Sequence, residues 1–161
     1  MKQHLISLVL FFSFLLSGCM PLKQTEVTSP NGHIRLAFAL DGNNRMTYQV
    51  SVGDTVFITP SLLGFTAKDG VNLAEGFKVV NTGFTTHDET WTQPWGENKN
   101  IRNHYNEMAV HLSDTTNTKL TLRFRIFDDG LGFRYEYEVP GADSILVTDE
   151  LTAFNIAQDG T

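Results

Sequence analysis

The amino-acid sequence predicts an all-β fold, and among all-β folds it favours an antiparallel β-sandwich. From His33 onward, large apolar residues recur at every second position, so each strand turns one face to a core and the other to water. Turn-forming residues recur about every 8–12 positions, the spacing typical of antiparallel sandwiches and barrels. No window of about eleven residues carries the 3.6-residue period of an amphipathic helix. We therefore expect roughly nine or ten strands.

The first strands are predicted from alternation and from the turns between them. Residues 33–40 place Ile, Leu, Phe and Leu at alternate positions, and the turn at 41–44 leads into a second alternating segment over 46–52. Gly53-Asp54 is a two-residue hairpin signal. A third strand is expected to follow it over residues 55–59.

Another hairpin is predicted nearer the C-terminus. Residues 120–126 alternate Leu, Leu, Phe and Ile with Thr and Arg, and residues 133–139 alternate Phe, Tyr, Tyr and Val with Arg and Glu. The turn Asp128-Asp129-Gly130 joins the two segments. Each segment is expected to bury its apolar side and to present its charged side to solvent.

The first nineteen residues are predicted to be a targeting segment. Lys2 and His4 precede an apolar run over residues 5–16, which is shorter than the ~20 residues needed to span a bilayer and is typical of a signal peptide. The run ends in Leu-Ser-Gly-Cys at 16–19, which resembles a bacterial lipoprotein signal. The alternative is an ordinary secretory signal in which Cys19 is incidental.

This segment sets the predicted domain organisation and location. Residues 1–18 are the signal peptide, 19–30 a lipidated tether, and 31–161 the β-sandwich domain. We expect export to the bacterial cell envelope, with lipid on Cys19 anchoring the protein to a membrane. Whether it faces the periplasm or the surface is left open.

Composition excludes several classes of function. The chain has 161 residues and a formal charge of −6, which argues against nucleic acid as a partner. A single cysteine excludes a disulfide framework and a four-cysteine zinc site. His104 and Glu107 stand three apart, which on a strand places them on opposite faces, so no metal site is predicted.

Aromatic and charged side chains are concentrated in residues 83–107, where the apolar alternation fails and an irregular loop is predicted. The segment holds both tryptophans, two histidines, one arginine and four carboxylates. Indole rings stack on sugar rings, and polar side chains bond sugar hydroxyls, so this mixture suits a polyhydroxylated ligand. The alternative is structural: the tryptophans cover the open end of the sandwich, and Arg102 pairs with Glu97 or Glu89.

Seven motifs together resemble glycoside hydrolase family 97, in order from Ser29 to Phe154. The Trp-Gly-Glu and Arg-Asn-His-Tyr-Asn-Glu blocks are the specific ones. The motifs are Ser-Pro-Asn-Gly at 29–32, Pro-Ser-Leu-Leu-Gly at 60–64, Asp-Glu-Thr-Trp at 88–91, Pro-Trp-Gly-Glu at 94–97, Ile-Arg-Asn-His-Tyr-Asn-Glu at 101–107, Phe-Arg-Ile-Phe-Asp-Asp-Gly at 124–130 and Phe-Arg-Tyr at 133–135.

The resemblance implies a lipoprotein or secreted α-glucosidase or α-galactosidase with three parts. These are an N-terminal galactose-mutarotase-like super-sandwich, a (β/α)₈ barrel that carries the catalytic carboxylates, and a C-terminal β domain. The resemblance also implies that this chain is a partial super-sandwich. A barrel needs about 250 residues, so we expect the chain alone not to be catalytic. The family implies calcium for the full-length enzyme, with the sandwich's one ligating glutamate beyond residue 161. No catalytic residue is predicted here.

The first functional hypothesis is a carbohydrate-associated domain that packs on the catalytic barrel and helps to shape its active site. The implied partners are that barrel and, through the full-length enzyme, an α-linked oligosaccharide. Whether the candidates face sugar, barrel or each other is left open. The predicted sugar- or barrel-facing residues are Trp91, Trp95, Glu97, Arg102 and His104, with Asp88, Glu89 and Glu107 behind them.

Two other functions remain open from the sequence. One is a freestanding, lipid-anchored module that binds an oligosaccharide. The other is a mutarotase-like epimerase, in which His104 with Glu107 or His111 would supply the acid and base.

Overall fold

The computed structural model describes residues 25–157, apart from the side chain of Asp69. These residues form ten strands and a single 3₁₀ turn at Lys68–Gly70. The strands are β1 Thr25–Thr28, β2 Ile34–Leu40, β3 Met46–Val52, β4 Thr55–Leu62, β5 Phe65–Ala67, β6 Lys78–Thr92, β7 Asn100–Ser113, β8 Lys119–Ile126, β9 Leu131–Glu138 and β10 Val147–Glu150.

The strands form two four-stranded antiparallel sheets and one small two-stranded sheet. The first sheet has the order β1-β2-β3-β4, the second has the order β6-β7-β8-β9, and β10 pairs with β5. The predicted all-β sandwich is therefore confirmed. No helix within residues 25–157 has the length and hydropathy of a membrane span.

The core lies between the two four-stranded sheets. Phe38 on β2 and Phe124 on β8 meet across it with ring centroids 6.2 Å apart. On β8 the burial alternates residue by residue, with Leu120, Leu122 and Ile126 buried beside Phe124. The alternation seen in the sequence thus corresponds directly to the buried and exposed faces of this strand.

The domain begins earlier than the sequence indicated. The predicted tether covered residues 19–30, but Thr25–Thr28 form β1, which pairs with β2 and buries Val27. A polar segment next to a proline has weak strand character by composition, and its pairing with β2 supplies the missing stabilisation. The predicted signal peptide, Cys19 and residues 19–24 of the tether lie outside the described residues.

Candidate functional site

The longest hairpin in the structure contains most of the predicted site. β6 and β7 pair from Lys78 opposite Ser113 to Thr92 opposite Asn100, with one register shift between Val79 and Asn81, whereas β8 pairs with β7 only from Asn106 onward. Beyond that point the hairpin is a two-stranded ribbon, and we name residues 87–105 the hairpin arm. The irregular loop predicted for 83–107 is therefore wrong. Both faces of the arm carry polar residues, so its strands lack the apolar alternation by which strands are recognised.

Strand register divides the predicted residues between the two faces of this hairpin. His87, Glu89 and Trp91 lie opposite Tyr105, Asn103 and Ile101 on the outer face, the solvent side of β6–β9. The other face, the inner one, continues the core side of the sheet. It carries Asp88 opposite His104, and Thr90 opposite Arg102. The eight predicted residues therefore do not converge on one pocket.

On the inner face, Arg102 forms a two-pronged ion pair with Asp88. Its Nε and Nη2 donate to the two carboxylate oxygens at 2.8 and 2.7 Å. These hydrogen bonds hold the pKa of Asp88 below its ordinary value. The expectation that Arg102 pairs with Glu97 or Glu89 is therefore wrong. The pairing leaves a fixed guanidinium at the surface, with His104 beside it.

The turn of the arm presents aromatic side chains to solvent. Trp95 is 85% exposed and Trp91 is 48% exposed, and Glu97 is exposed in the same turn. The side-chain amide of Gln93 donates to the carbonyl of Asn98 at 2.7 Å, which closes the turn. The tryptophans therefore do not cover the open end of the sandwich, contrary to the structural alternative.

Glu107 lies away from the arm's turn, in a charged network on the outer face. Its side chain is only 9% exposed, and its two oxygens accept from Arg123 Nη1 at 2.6 Å and Arg125 Nε at 2.7 Å. Burial alone would raise the pKa of Glu107, but the hydrogen bonds from these arginines outweigh it and lower the pKa. The carboxylate is therefore held ionised as a structural anion.

The network continues onto β9 through Glu136. Arg123 donates to both Glu136 oxygens at 3.0 and 3.1 Å, and Arg134 Nε donates to the same carboxylate at 2.8 Å. The hydrogen bonds from Arg123, opposed by burial and reinforced by Arg134, lower the pKa of Glu136 to about 2. Charged side chains at alternate positions of β8 and β9 were visible in the sequence, but nothing there indicated that they meet on one face with Glu107.

A stack of flat groups joins this network to the arm. The guanidinium carbon of Arg125 lies 4.6 Å from the centroid of the Tyr105 ring. His87 stacks on Tyr105 with centroids 5.0 Å apart, and Phe127 contacts the same ring at 5.2 Å. Five residues of the network and the stack were not predicted as site residues: Tyr105, Arg123, Arg125, Arg134 and Glu136.

The geometry gives no acid–base pair for an epimerase. His104 lies on the inner face and Glu107 on the outer face, as their spacing predicted. His111 Nδ1 is 2.9 Å from Thr121 Oγ1, and both oxygens of Glu107 are held by arginines. A general base must take up a substrate proton, and, despite burial, the two arginines lower the pKa of Glu107, which makes its carboxylate a weaker base.

The described residues offer no cluster of acidic side chains for the calcium ion that the resemblance implies. Within residues 25–157, no three His, Cys, Asp or Glu side chains come together in a way that could hold a metal.

Comparison with known families decides the assignment. Residues 27–161 match the family described as Glycosyl-hydrolase 97 N-terminal. The chain belongs to glycoside hydrolase family 97. The family resemblance inferred from the motifs is thereby confirmed, and the match begins within β1, in agreement with the structural start of the domain.

Similar proteins are enzymes of this family and related glycosidases. A retaining α-galactosidase of Bacteroides thetaiotaomicron is 25% identical over 139 residues, covering 86% of this chain and 20% of that enzyme. A glycoside hydrolase family 97 enzyme of Pseudoalteromonas sp. strain K8, solved with panose, is 30% identical with a TM-score of 0.77, over 82% of this chain and 20% of that one. A β-arabinopyranosidase structure is 25% identical with a TM-score of 0.75, over 83% of this chain and 21% of that one. The chain spans about one fifth of each relative.

Proposed function

We propose that this sandwich works as the N-terminal domain of a family 97 glycosidase that acts on α-linked oligosaccharides. In this role it packs on the catalytic barrel and helps to shape the active site, and it carries no catalytic residue itself. The relatives support this proposal, because the α-galactosidase and the panose-bound enzyme each match this chain over only one fifth of their length.

The exposed hairpin arm is the observation that carries the proposal. A two-stranded ribbon is marginally stable in water, and exposing large aromatic residues at its turn costs further free energy unless a partner covers them. Trp95 and Trp91 stand there with Glu97, and the Asp88–Arg102 pair lies on the neighbouring face. We assign the arm to contact with the barrel and with sugar bound in it.

The chemistry of each group suits this contact. Indole rings present flat apolar faces to the C–H face of a pyranose ring, while carboxylates and guanidiniums exchange hydrogen bonds with hydroxyls. Asp88 holds Arg102 in one orientation through two hydrogen bonds. The remaining N–H donors of Arg102 are therefore positioned for an oxygen acceptor on the inner face.

The proposal places the protein in the cell envelope, held to a membrane by lipid on Cys19. The motif at 16–19 and the apolar run before it support this location. Calcium belongs, in this proposal, to the assembled enzyme rather than to the described residues.

A chimera tests the proposal. Residues 20–161 would replace the matched N-terminal fifth of the Pseudoalteromonas enzyme, and panose hydrolysis would be measured. We expect activity above that of the enzyme lacking its N-terminal fifth. Trp95→Ala should lower kcat/KM about tenfold, the effect of roughly 1.4 kcal/mol. Phe57→Ala, which removes an aromatic side chain of β4 that is 52% exposed, should not.

Two results would count against this function. A soluble chimera whose kcat/KM ignores Trp95→Ala would show that the arm does not serve the active site. A rise in the unfolding temperature of the unfused protein with panose, as ligand linkage requires, would instead favour the freestanding binding module.

A further inference from the structure

A small hollow on the outer face of β8 and β9 lies apart from the arm's turn. Its volume is about 210 Å³, and its walls include Arg123, Arg125, Arg134, Phe127 and Gly132. The chain carries a net charge of −6 and only six arginines, and three of those six line this one hollow. Such local concentration of guanidinium groups is the usual way in which proteins recognise anions.

Glu107 and Glu136 do not accept hydrogen bonds from all the N–H groups of the three arginines around the hollow. Within the described residues, Arg125 donates through Nε alone, to Glu107, and Arg134 directs Nε and Nη2 to Glu136. Three guanidiniums face two carboxylates, so one positive charge is uncompensated inside this network. The surplus matches a monovalent anion.

The hollow exists because strand β9 has no side chain opposite Arg125. Gly132 is the cross-strand partner of Arg125, and a Cβ atom added to Gly132 would meet no other atom within 4 Å. The backbone of Gly132 is not in the left-handed region, so its conformation does not require glycine. Gly132 therefore leaves space in the hollow and is not required by the backbone conformation.

The walls are also pre-organised. Arg125 is held between Glu107 and the face of Tyr105, which fixes its guanidinium before any ligand arrives. Phe127 adds an apolar surface beside the charges. A guanidinium next to an aromatic wall suits a carboxylate attached to a ring, since the carboxylate takes the hydrogen bonds and the C–H face of the ring packs on the aromatic side chain.

We propose that this hollow binds the carboxylate of an acidic sugar, a uronic acid, at the free donors of Arg125 and Arg134 above Gly132. The site lies on the outer face of the sheet, and it is separate from the arm's tryptophans and from the inner-face pair of Arg102. It would let the domain hold acidic glycans independently of any substrate in a catalytic barrel.

Titration of the ¹⁵N-labelled protein tests this site, with the arginine Nε–H signals as the readout. The probes are sodium D-glucuronate, D-glucose and inorganic phosphate, all at constant ionic strength because salt screens exposed charges. We expect glucuronate to shift the Arg125 and Arg134 signals saturably, glucose to leave them unmoved, and phosphate to bind more weakly. Equal shifts with glucose, or tighter binding of phosphate, would overturn the proposal.

Filling the hollow provides the decisive variant. Gly132→Leu keeps every arginine and should weaken glucuronate binding at least about tenfold by occupying the space. Gly83→Leu is the matched control, because Gly83 also lies in a strand, opposite Ala109 on the same outer face, with no atom within 4 Å of an added Cβ. Undiminished affinity in folded Gly132→Leu would refute the site.

A second pair of variants keeps the test independent of how leucine packs. Arg134→Gln removes one guanidinium of the hollow, whereas Lys119→Gln removes a cation from the same face that pairs with Glu138 at 2.9 Å. Arg134→Gln should weaken glucuronate binding about tenfold, and Lys119→Gln should leave it within twofold. Equal effects would mean that general surface charge, rather than this hollow, attracts the anion.

Discussion

Replacing Glu107 with glutamine should measure how much the charged network stabilises the sandwich. Glutamine keeps the size of the side chain but removes the charge that Arg123 and Arg125 contact at 2.6 and 2.7 Å. Hydrogen bonds to charged groups contribute about 1.5–3 kcal/mol each, and breaking a fully buried pair costs about 3–5 kcal/mol. Water reaches both arginines, which are 26% and 40% exposed, so the loss should be smaller. We expect about 2–3 kcal/mol.

Urea unfolding followed by circular dichroism checks this value at pH 7. With a slope of about 1–3 kcal/mol per molar urea, a loss of about 2–3 kcal/mol should lower the midpoint by roughly 0.7–3 M. Glu138→Gln is the matched control, because Glu138 and its partner Lys119 are 74% and 61% exposed. Such an exposed pair should change the stability by less than about 0.5–1 kcal/mol. If the two variants unfolded at the same midpoint, the Glu107 network would stabilise the fold no more than an exposed ion pair does, and the expected loss of about 2–3 kcal/mol would be refuted.

The same experiment has a defined dependence on pH. The folded-state pKa values of Glu107 and Glu136 lie below their ordinary value of 4.5, that of Glu136 at about 2. A lowered pKa contributes stability that is complete above the ordinary value and is lost as the pH falls through the folded-state value. The difference between wild type and Glu107→Gln should therefore stay constant from pH 7 to about pH 5, and should shrink below pH 4.5.

Three further predictions follow from single positions. Gly64→Ala should destabilise the fold by more than about 2 kcal/mol, because φ of Gly64 is +130° and the new Cβ would lie 2.6 Å from a backbone atom of Ala74. Gly42→Ala is the control, because an added Cβ there meets no atom within 4 Å, and it should change the free energy of unfolding little in the same urea assay. Trp95→Ala should change the free energy of unfolding by less than about 0.5 kcal/mol, since Trp95 is 85% exposed. A larger loss in the urea assay would place Trp95 in a packed contact. Cys19→Ser should abolish incorporation of labelled palmitate into the protein in cells, and retained label would refute the lipid anchor.

The sandwich was predictable wherever one face of a strand is buried. β8 and its neighbours carry an alternating apolar pattern because packing against the opposite sheet demands it. β1 gave no such signal, since it has four residues and only Val27 among them is buried. Its place in the sheet is set by pairing with β2, which local sequence does not encode.

The candidate site was predictable in composition but not in arrangement. The sequence placed two tryptophans, Arg102 and several carboxylates near one another, and the hairpin arm does bring them into one ribbon. Which of them share a face depends on strand register, and one residue of shift would exchange the two faces. Arg102 therefore meets Asp88, which lies two residues along β6 from Thr90, the residue directly opposite Arg102. It does not meet Glu89 or Glu97.

The two ends of the β6–β7 hairpin differ in what they contact. Toward its turn the ribbon pairs with no further strand of residues 25–157, and it exposes Trp91 and Trp95. Toward the sheet, Glu107 pairs with Arg123 and Arg125 of β8, and Arg125 also lies over the ring of Tyr105. Arg123 in turn pairs with Glu136 of β9. The ion network thus clamps the base of the arm to the sandwich. A contact made at the turn can then be held at a fixed angle, because the network ties the base of the ribbon to β8 and β9.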